Sequence, residues 1–269
     1  MIHAEEQWKK VRQSNPLVHH ITNYVTVNDC ANVTLAIGAS PVMADDREEA
    51  ADMTSLASAL VLNIGTLNAR TVESMMISGK TANQKQIPVI FDPVGAGASA
   101  FRSRTADTLL KNIHMTVIKG NISEIRNISG EASHTRGVDA SAADAEADAR
   151  LLAERAARQF HCVVAITGPL DTVSDGSRTV LVENGHPAMS GMTGTGCMGS
   201  SLTACFCGAD PAHPLEAAAS ALACLGAAGE IAWETAGSKG IGSYHAALLD
   251  AVSHMDEETL RKRAKIHEK

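Results

Sequence analysis

Short, continuously apolar segments alternate with helix-like segments from about Leu17 to Phe160, and this alternation restricts the possible folds most. "ALVLNIG", "IPVIFDP" and "MTVIKG" are apolar throughout, as is typical of strands buried on both faces of a sheet. The intervening "NARTVESMMISG", which we expect to end at Gly79, and "DAEADARLLAERAARQF" have helical spacing. The alternation predicts an α/β fold in which a mostly parallel central sheet is covered by helices on both faces.

The pattern changes after Cys162, where three β-like runs follow one another with only tight turns between them: "CVVAITG", "DTVSDG" and "RTVLVEN". Such spacing predicts an antiparallel edge, and the last third of the chain then reads as helical only. Both features disfavour an eight-fold β/α barrel. We therefore expect one three-layer αβα domain over residues 1–269, with no separate lid domain and with its ligand site at the carboxyl ends of the strands.

Composition excludes some classes of partner. The net charge is −7, and the one basic cluster, Arg261 to Lys265, has acidic flanks, so the electrostatic footprint of nucleic-acid or membrane-surface binding is missing. We find no apolar run of membrane-spanning length and no signal-peptide pattern in the polar N-terminal segment. The six cysteines are scattered, which favours reduced thiols and predicts a cytoplasmic protein.

Two short segments imitate nucleotide-binding motifs. "SGKT" resembles the end of a P-loop, but Ser74 stands where that motif requires a glycine, and the segment reads as the end of a helix. "GTGCMG", Gly194 to Gly199, matches the dinucleotide fingerprint by letter. No good strand precedes it and an alanine-rich helix follows, whereas the fingerprint needs a βαβ unit, so a dinucleotide-binding oxidoreductase is disfavoured.

The same "GTGCMG" segment has the pattern of an anion site. Glycines allow the backbone to approach an anion closely, and the first turn of the next helix presents free N–H groups at the positive end of its dipole. A transferring phosphoryl group suits such a site because its reaction depends on positioning and charge stabilisation. A glycine-rich turn that only packs a helix closely is the alternative.

Charged residues at strand ends supply the other candidates. Asp92 ends a buried strand and could hold hydrated Mg²⁺ or cap the loop after it. Lys119 could neutralise phosphate charge, and Glu124 could join the same site or compensate a helix dipole. All three would open onto the same face of the sheet as Gly194 to Gly199, and this coincidence favours a functional role.

Other conspicuous residues carry weaker signals. His19 and His20 are adjacent on a strand and point to opposite faces, so we expect one of them to line the cleft. Cys205 and Cys207 lie near His213, but buried apolar cysteines are favoured over a zinc site. The segment before Gly38 is helical, with apolar spacing at Val25, Ala31 and Leu35.

Taken together, the motifs resemble those of the hydroxyethylthiazole kinases, thiamine-salvage enzymes of the ribokinase-like superfamily. The resemblance runs almost end to end through "NPLVHHITNYVTVNDCAN", "GASPVMA", "FDPVGAGAS", "IKGNISEI", "ITGPLDTVSDG", "MTGTGCMG" and "GIGSYHAALLDAV". It implies phosphorylation of the primary hydroxyl of 4-methyl-5-(2-hydroxyethyl)thiazole with ATP and Mg²⁺. It also implies a homotrimer with active sites between subunits.

The resemblance also implies roles for individual residues. The thiazole alcohol pocket is implied at Asn23, Val25, Met43 and Gly194. Nucleotide binding is implied at Lys119, Asn121, Thr167 and Gly168, and the Mg²⁺ and phosphate region at Asp92 and Glu124. The catalytic segment is implied at Gly194, Thr195, Gly196 and Cys197. This chain departs from the family pattern at two places. Lys119 stands where the family often has arginine, and lysine keeps the charge but cannot make a bidentate phosphate contact; "GIGSY" stands where "GPGSF" is commoner.

Cys197 stands where related sugar kinases have an aspartate that acts as general base. A helix N-terminus favours thiolate, whereas nearby phosphates oppose it, so Cys197 is either a base or a group that orients the hydroxyl. The anion site is expected to do most of the work. Two alternatives remain: a kinase of another heterocyclic alcohol, of pyrimidine or pyridoxal type, and a catalytically silent sensor of thiazole or nucleotide.

Overall fold

A nine-stranded sheet forms the centre of the protein in the computed structural model, which describes residues 2–130 and 142–269. The strands are β1 (Leu17–Ile21), β2 (Ser40–Val42), β3 (Ala59–Asn63), β4 (Val89–Asp92), β5 (Val117–Asn121), β6 (Val163–Thr167), β7 (Asp171–Ser174), β8 (Thr179–Val182) and β9 (Ile266–Glu268). Their order across the sheet is β2-β1-β3-β4-β5-β6-β7-β8-β9.

The six strands from β2 to β6 in this order are mutually parallel, and β7, β8 and β9 are antiparallel. The predicted mostly parallel sheet with an antiparallel edge is therefore confirmed. The prediction of a C-terminal third made only of helices was wrong, because β9 adds an edge strand beside β8. Its three residues, Ile266, His267 and Glu268, have neither the length nor the continuous apolar character of the other predicted strands.

Helices cover both faces of this sheet. They are α1 (Ala4–Ser14), α2 (Val27–Ile37), α3 (Ala50–Leu56), α4 (Ala69–Gln84), α5 (Ala100–Asn112), α6 (Ile122–Ile128), α7 (Ala142–Phe160), α8 (Thr195–Ala209), α9 (Pro214–Ala236), α10 (Ile241–Ser253) and α11 (Glu257–Arg263). Short 3₁₀ helices occur at Pro187–Gly191 and Gly237–Lys239.

Two apolar cores result, because successive strand residues point to opposite faces. Val61, Ile90 and Val117 belong to the core beneath α1, α2, α8, α9 and α10. Leu62 and Phe91, one position along their strands, belong to the core shared with α4, α5, α6 and α7. Continuous apolar strands thus supply both cores at once, and the predicted three-layer αβα arrangement is confirmed.

Two local expectations about helices were wrong. Val25 and Leu35 are 57% and 58% exposed, and α2 instead buries Cys30, Val33 and Ile37. α4 does not end at Gly79 but continues to Gln84. Gly79 lies inside this helix, where a Cβ would overlap the buried side chain of Ile113, so the glycine permits close packing and does not end the helix.

Within the described part of the chain, one helical segment, Pro214–Lys239, is long and apolar enough by length and composition to cross a membrane, contrary to our expectation that no apolar run reaches this length. In the folded protein, 83% of its most apolar window is buried. It lies against α8, α10 and α1, so its apolar surface belongs to the first of the two cores.

Candidate active site

A cavity of about 360 Å³ lies beyond the carboxyl ends of the parallel strands and brings most of the predicted site residues together. The predicted residues that line it are Asn23, Val25, Asp92, Lys119, Asn121, Glu124, Thr167, Gly194, Gly196 and Cys197. Thr26, Gly65, Val94, Gly120 and Thr193 complete its lining. Its position follows the rule for open α/β sheets, whose ligands bind outside the carboxyl ends of the strands.

Gly194 forms the N-cap of α8 at the wall of this cavity. Its φ of 93° and ψ of −10° lie in the left-handed region, which favours glycine. A Cβ here would approach the Cγ2 of Thr26 to 3.1 Å and the Oδ2 of Asp29 to 3.2 Å. The N–H groups of the following first turn, Thr195 to Cys197, have no acceptor within the helix, as at any helix start. This end of α8 can therefore hold an anion.

Asp92 is buried at the end of β4, with 3% of its surface exposed. Its Oδ2 accepts hydrogen bonds from the Oγ of Ser200 at 2.6 Å and from the Nδ2 of Asn63 at 3.0 Å. Burial raises the pKa of Asp92 to about 6, the nearby charge of Glu124 adds to this, and Lys119 opposes it. Because both donors use Oδ2, Oδ1 has no donor among the described residues and can serve a ligand.

Glu124 performs a structural task at the same cavity. Its Oε2 accepts the N–H of Asn121 at 2.8 Å, and Asn121 in turn accepts the N–H of Glu124 at 2.9 Å, a capping box that starts α6. Its Oε1 accepts the N–H of Gly95 in the loop after β4. Glu124 therefore compensates a helix N-terminus and connects two loops, and the residue also lines the cavity.

Lys119 is a buried cation beneath the first turn of α8. Its Nζ donates to the carbonyl of Gly196 at 2.8 Å, and 2% of the residue is exposed. A Cβ at Gly199 would approach the Lys119 Cε to 3.0 Å, so the glycine leaves room for the lysine stem. The arrangement places a positive charge beside the anion-binding end of α8.

Cys197 presents its sulfur to two asparagine side chains. The Nδ2 of Asn23 and the Nδ2 of Asn63 each lie 3.3 Å from its Sγ, so the sulfur accepts two N–H hydrogen bonds. Asn23 also donates to the Oδ1 of Asn63 at 3.1 Å. The side chain predicted to be catalytic is thus held in place within a polar network that reaches Asp92.

Three predicted site residues do not line the cavity. Met43 follows the edge strand β2, two strands away from β3 in the sheet. Thr195 begins α8 but donates its hydroxyl to the carbonyl of Met189. Gly168 lies in the exposed loop between β6 and β7, where its N–H donates to the Oδ1 of Asp171 at 2.9 Å.

The two histidines are also outside the cavity, contrary to the expectation that one would line it. His19 bonds to the Oγ1 of Thr54 and the carbonyl of Ala44, and His20 bonds to the carbonyl of Val18 and the Oγ of Ser201. Burial lowers the pKa of both rings, that of His20 to about 3. Both histidines are therefore neutral structural residues.

The buried-cysteine expectation for Cys205 and Cys207 agrees with the structure, since neither side chain is exposed. Within residues 2–130 and 142–269, no group of three or more histidine, cysteine or acidic side chains is arranged to hold a metal. A metal at the cavity would therefore need ligands from a bound phosphate or from water in addition to protein carboxylates.

Sequence reasoning missed several residues that organise the site. Asn63 ends β3 beside Asp92 and could have been found by the argument that selected Asp92, since it too is a polar residue at the end of a buried strand. Arg102 donates to the carbonyls of Ile64, Gly65 and Val94 and so joins the loops after β3 and β4. Ser200 gave no signal, because serine within a helix is unremarkable until Asp92 is placed against it.

The assembled groups are suited to phosphoryl transfer. A helix N-terminus and a buried lysine can stabilise phosphate charge, two carboxylates can hold a divalent cation, and a fixed sulfur can contact a hydroxyl. The segment that matches the dinucleotide fingerprint by letter, Gly194 to Gly199, lacks the required βαβ context, as predicted. A 3₁₀ helix, Pro187–Gly191, precedes Gly194 in place of a strand, and α8 and α9 follow.

Comparisons with known proteins agree with this chemistry. The model of the hydroxyethylthiazole kinase family matches residues 8–258. A hydroxyethylthiazole kinase from Ruminiclostridium cellulolyticum is 57% identical over 96% of this chain and 95% of its own length. One from Methanosarcina acetivorans is 45% identical over 98% of this chain and 99% of its own length.

Solved structures give the same result for the fold. The structure of a hydroxyethylthiazole kinase protein from Pyrococcus horikoshii OT3 matches with a TM-score of 0.90 and 42% identity, over 99% of this chain and 98% of its own. A ribokinase-like superfamily protein from Enterococcus faecalis matches with a TM-score of 0.63 and 14% identity, over 93% and 89% of the two chains, which supports the ribokinase-like fold alone. Its motifs, its fold and its sequence identity of 42% to 57% over nearly the full length show that this chain belongs to the hydroxyethylthiazole kinase family.

Proposed function

We propose that this protein transfers the γ-phosphoryl group of ATP to the primary hydroxyl of 4-methyl-5-(2-hydroxyethyl)thiazole. The observation that carries the proposal is the meeting of the α8 N-terminus, Lys119, Asp92 and Cys197 in one cavity of a chain from this family. Phosphoryl transfer needs little covalent chemistry from the protein and depends on such positioned charges. The single ribokinase-like kinase domain is proposed to span residues 1–269.

The proposed division of the site follows its polarity. Asn23, Val25 and Gly194 would contact the thiazole alcohol, while Lys119, Asn121 and Thr167 would face the nucleotide. The first-turn N–H groups of α8 would receive the transferring phosphoryl group between them. Three residues that lie outside the cavity of a single chain keep their proposed roles: Met43 toward the thiazole alcohol, Thr195 in the catalytic segment and Gly168 toward the nucleotide. Gly168 would act through the loop that its hydrogen bond to Asp171 holds in place.

The residues present fit a magnesium ion as cofactor. Mg²⁺ is usually held by one or two carboxylates together with water and substrate phosphates. Asp92 has an oxygen without a protein donor among the described residues, and Glu124 lines the same cavity, so these two carboxylates would hold the ion. The ion would neutralise phosphate charge as the phosphoryl group is transferred.

We also propose a cytoplasmic homotrimer with active sites between subunits. Val25, which lines the cavity, is 57% exposed, and its neighbour in the chain, Tyr24, is 79% exposed, so exposed apolar side chains lie at the site. All six cysteines are unpaired, which accords with a reducing compartment. Light scattering of the purified protein tests the assembly, and a monomer at micromolar concentration would contradict it.

The activity is tested by ADP formation with Mg·ATP across a panel of thiazole, pyrimidine and pyridine alcohols. We expect turnover with the hydroxyethylthiazole and little with the others. Turnover only with a pyridine or pyrimidine alcohol would move the protein to another substrate class. Binding of thiazole or ATP without product would indicate a sensor and refute the kinase proposal.

A further inference from the structure

Asn63 is a buried residue at the end of β3 whose side chain touches both the acid and the thiol of the site. It pairs in register with Asp92 on β4, and 2% of it is exposed. Its amide makes four hydrogen bonds, which is the number its two N–H donors and two oxygen lone pairs allow. A fully used amide in this position is fixed in orientation.

The partners of Asn63 determine which end of the amide faces Cys197. The Oδ1 accepts the N–H of Gly65 at 2.9 Å and the Nδ2 of Asn23 at 3.1 Å. The Nδ2 donates to Asp92 at 3.0 Å and to the Cys197 sulfur at 3.3 Å. Exchanging the two ends would place the amide oxygen against the carboxylate and the NH₂ against a backbone N–H, so the donor must face the sulfur.

The second asparagine is fixed in the same way. The Oδ1 of Asn23 accepts both the backbone N–H and the hydroxyl of Thr26, each at 3.1 Å. Its Nδ2 is therefore directed to Asn63 and to the Cys197 sulfur, at 3.3 Å. Two N–H donors with independently determined orientations thus converge on one sulfur atom, and neither offers that sulfur an acceptor.

We propose that Asn63 is a positioning residue that, together with Asn23, holds the Cys197 sulfur as a hydrogen-bond acceptor facing the substrate hydroxyl. The inference rests on the proposed kinase function for the identity of that hydroxyl. An amide N–H bonds more strongly to a sulfur that carries negative charge than to a neutral thiol. Asn63 therefore gives the sulfur a donor and no acceptor, and it joins this sulfur to Asp92 through one rigid amide.

A double-mutant cycle on turnover tests the coupling. We expect Asn63→Ala to lower kcat about tenfold while the KM for Mg·ATP changes less than about twofold. In a Cys197→Ala background, where turnover is already reduced, the same substitution should lower kcat less than about twofold. If the two losses simply multiply in the double variant, Asn63 does not act through Cys197 and the inference is overturned.

Alkylation of Cys197 tests the same contact without requiring turnover. The rate of alkylation by iodoacetamide is measured by mass spectrometry at about pH 7 and at about pH 10, and the first rate is divided by the second. An accessible thiol is deprotonated at about pH 10 in any case, so the quotient removes differences in how accessible the sulfur is to the reagent. We expect this quotient to fall about tenfold in Asn63→Ala, since the thiolate loses a donor. An unchanged quotient in the folded variant overturns the inference.

Asn184→Ala is the matched control, because Asn184 is also a buried asparagine, with bonds to Glu230, Arg263 and Lys265 outside the cavity. The alkylation quotient of Cys197 in the Asn184→Ala variant should equal that in the unsubstituted protein. Asn63→Ser, which keeps a hydroxyl beside Asp92, replaces Asn63→Ala if the latter does not fold, with the same expected fall. If the unsubstituted protein phosphorylates no thiazole alcohol, the proposed function fails, whereas the alkylation result still decides the role of Asn63.

Discussion

Gly194→Ala is the substitution that most directly tests how the anion-binding end of α8 is built. A non-glycine residue in the left-handed region costs about 1–2 kcal/mol. The added Cβ would also lie 3.1 Å from Thr26 and 3.2 Å from Asp29, and overpacking of this kind costs about 1–3 kcal/mol. We therefore expect the free energy of unfolding to fall by roughly 2–5 kcal/mol.

Gly130→Ala separates the two contributions. Gly130 also has a left-handed φ, of 74°, but a Cβ there would meet nothing within 4 Å among the residues that the structure describes. Its cost should be the conformational part alone, about 1–2 kcal/mol. Equilibrium urea unfolding of both variants measures the difference, which the contacts of Gly194 predict to be at least about 1 kcal/mol.

Turnover should distinguish the same pair more strongly. α8 begins at Thr195, directly after Gly194, so relief of the Thr26 and Asp29 contacts must shift its first turn. Misplacement of catalytic groups by about 1 Å can reduce a rate by about a hundredfold. We expect kcat to fall at least tenfold in Gly194→Ala and to be unchanged in Gly130→Ala. Equal stability and equal kcat in the two variants would refute the reasoning.

Five further substitutions, at four positions, probe the site and the cores. Cys197→Ala should keep measurable turnover and Cys197→Asp should be tolerated, because the helix N-terminus supplies most of the charge stabilisation; complete loss in a folded Cys197→Ala protein contradicts this. Asp92→Ala should sharply raise the Mg²⁺ concentration needed for half-maximal turnover, and an unchanged Mg²⁺ dependence would remove Asp92 from the metal region. Burial raises the pKa of Asp171 from 3.8 to about 6. Between these pH values the folded protein holds a proton that the unfolded chain has released, so the stability contributed by the protonated carboxyl falls as the pH rises. Asp171→Asn removes the titration but keeps an acceptor for Gly168, so its melting temperature relative to the unsubstituted protein should rise from about pH 4 to about pH 6; parallel curves would contradict this. Gly79→Ala should destabilise by about 1–2 kcal/mol in urea unfolding despite the better helix propensity of alanine, because the methyl group overlaps Ile113; a stabilised variant would show that the core can yield there.

The local pattern of the sequence was sufficient for the layers of the fold. Continuous apolar strands such as β3 and β4 must be covered on both faces, and this requirement gives the three layers without any knowledge of contacts. The tight turns after β6 likewise gave the antiparallel edge. β9 escaped prediction because its partner β8 lies more than 80 residues earlier in the chain, and because the pairing needs only backbone groups, which have no signature in three residues.

Asp92, Lys119 and Glu124 were predicted as site residues because the carboxyl ends of parallel strands meet at one edge of the sheet. Asn63 and Ser200 were not, since their importance comes from partners that are 29 to 134 residues away along the chain. His20 was also misjudged because its partner is distant in the sequence. The strand pattern allowed it to line the cleft, but in the structure it is a buried residue that bonds to Ser201.

Short-range periodicity and the ends of individual elements were enough to predict the layered αβα sheet, a helix that follows the glycine-rich segment, and the charged residues at the strand ends, whereas α8 in fact begins within that segment, at Thr195. The two amide donors to the Cys197 sulfur, one of them shared with Asp92, became visible only in the folded chain. The orientation of an asparagine amide is set by all four of its hydrogen-bond partners, and those partners become neighbours only when β1, β3, β4 and α8 have come together.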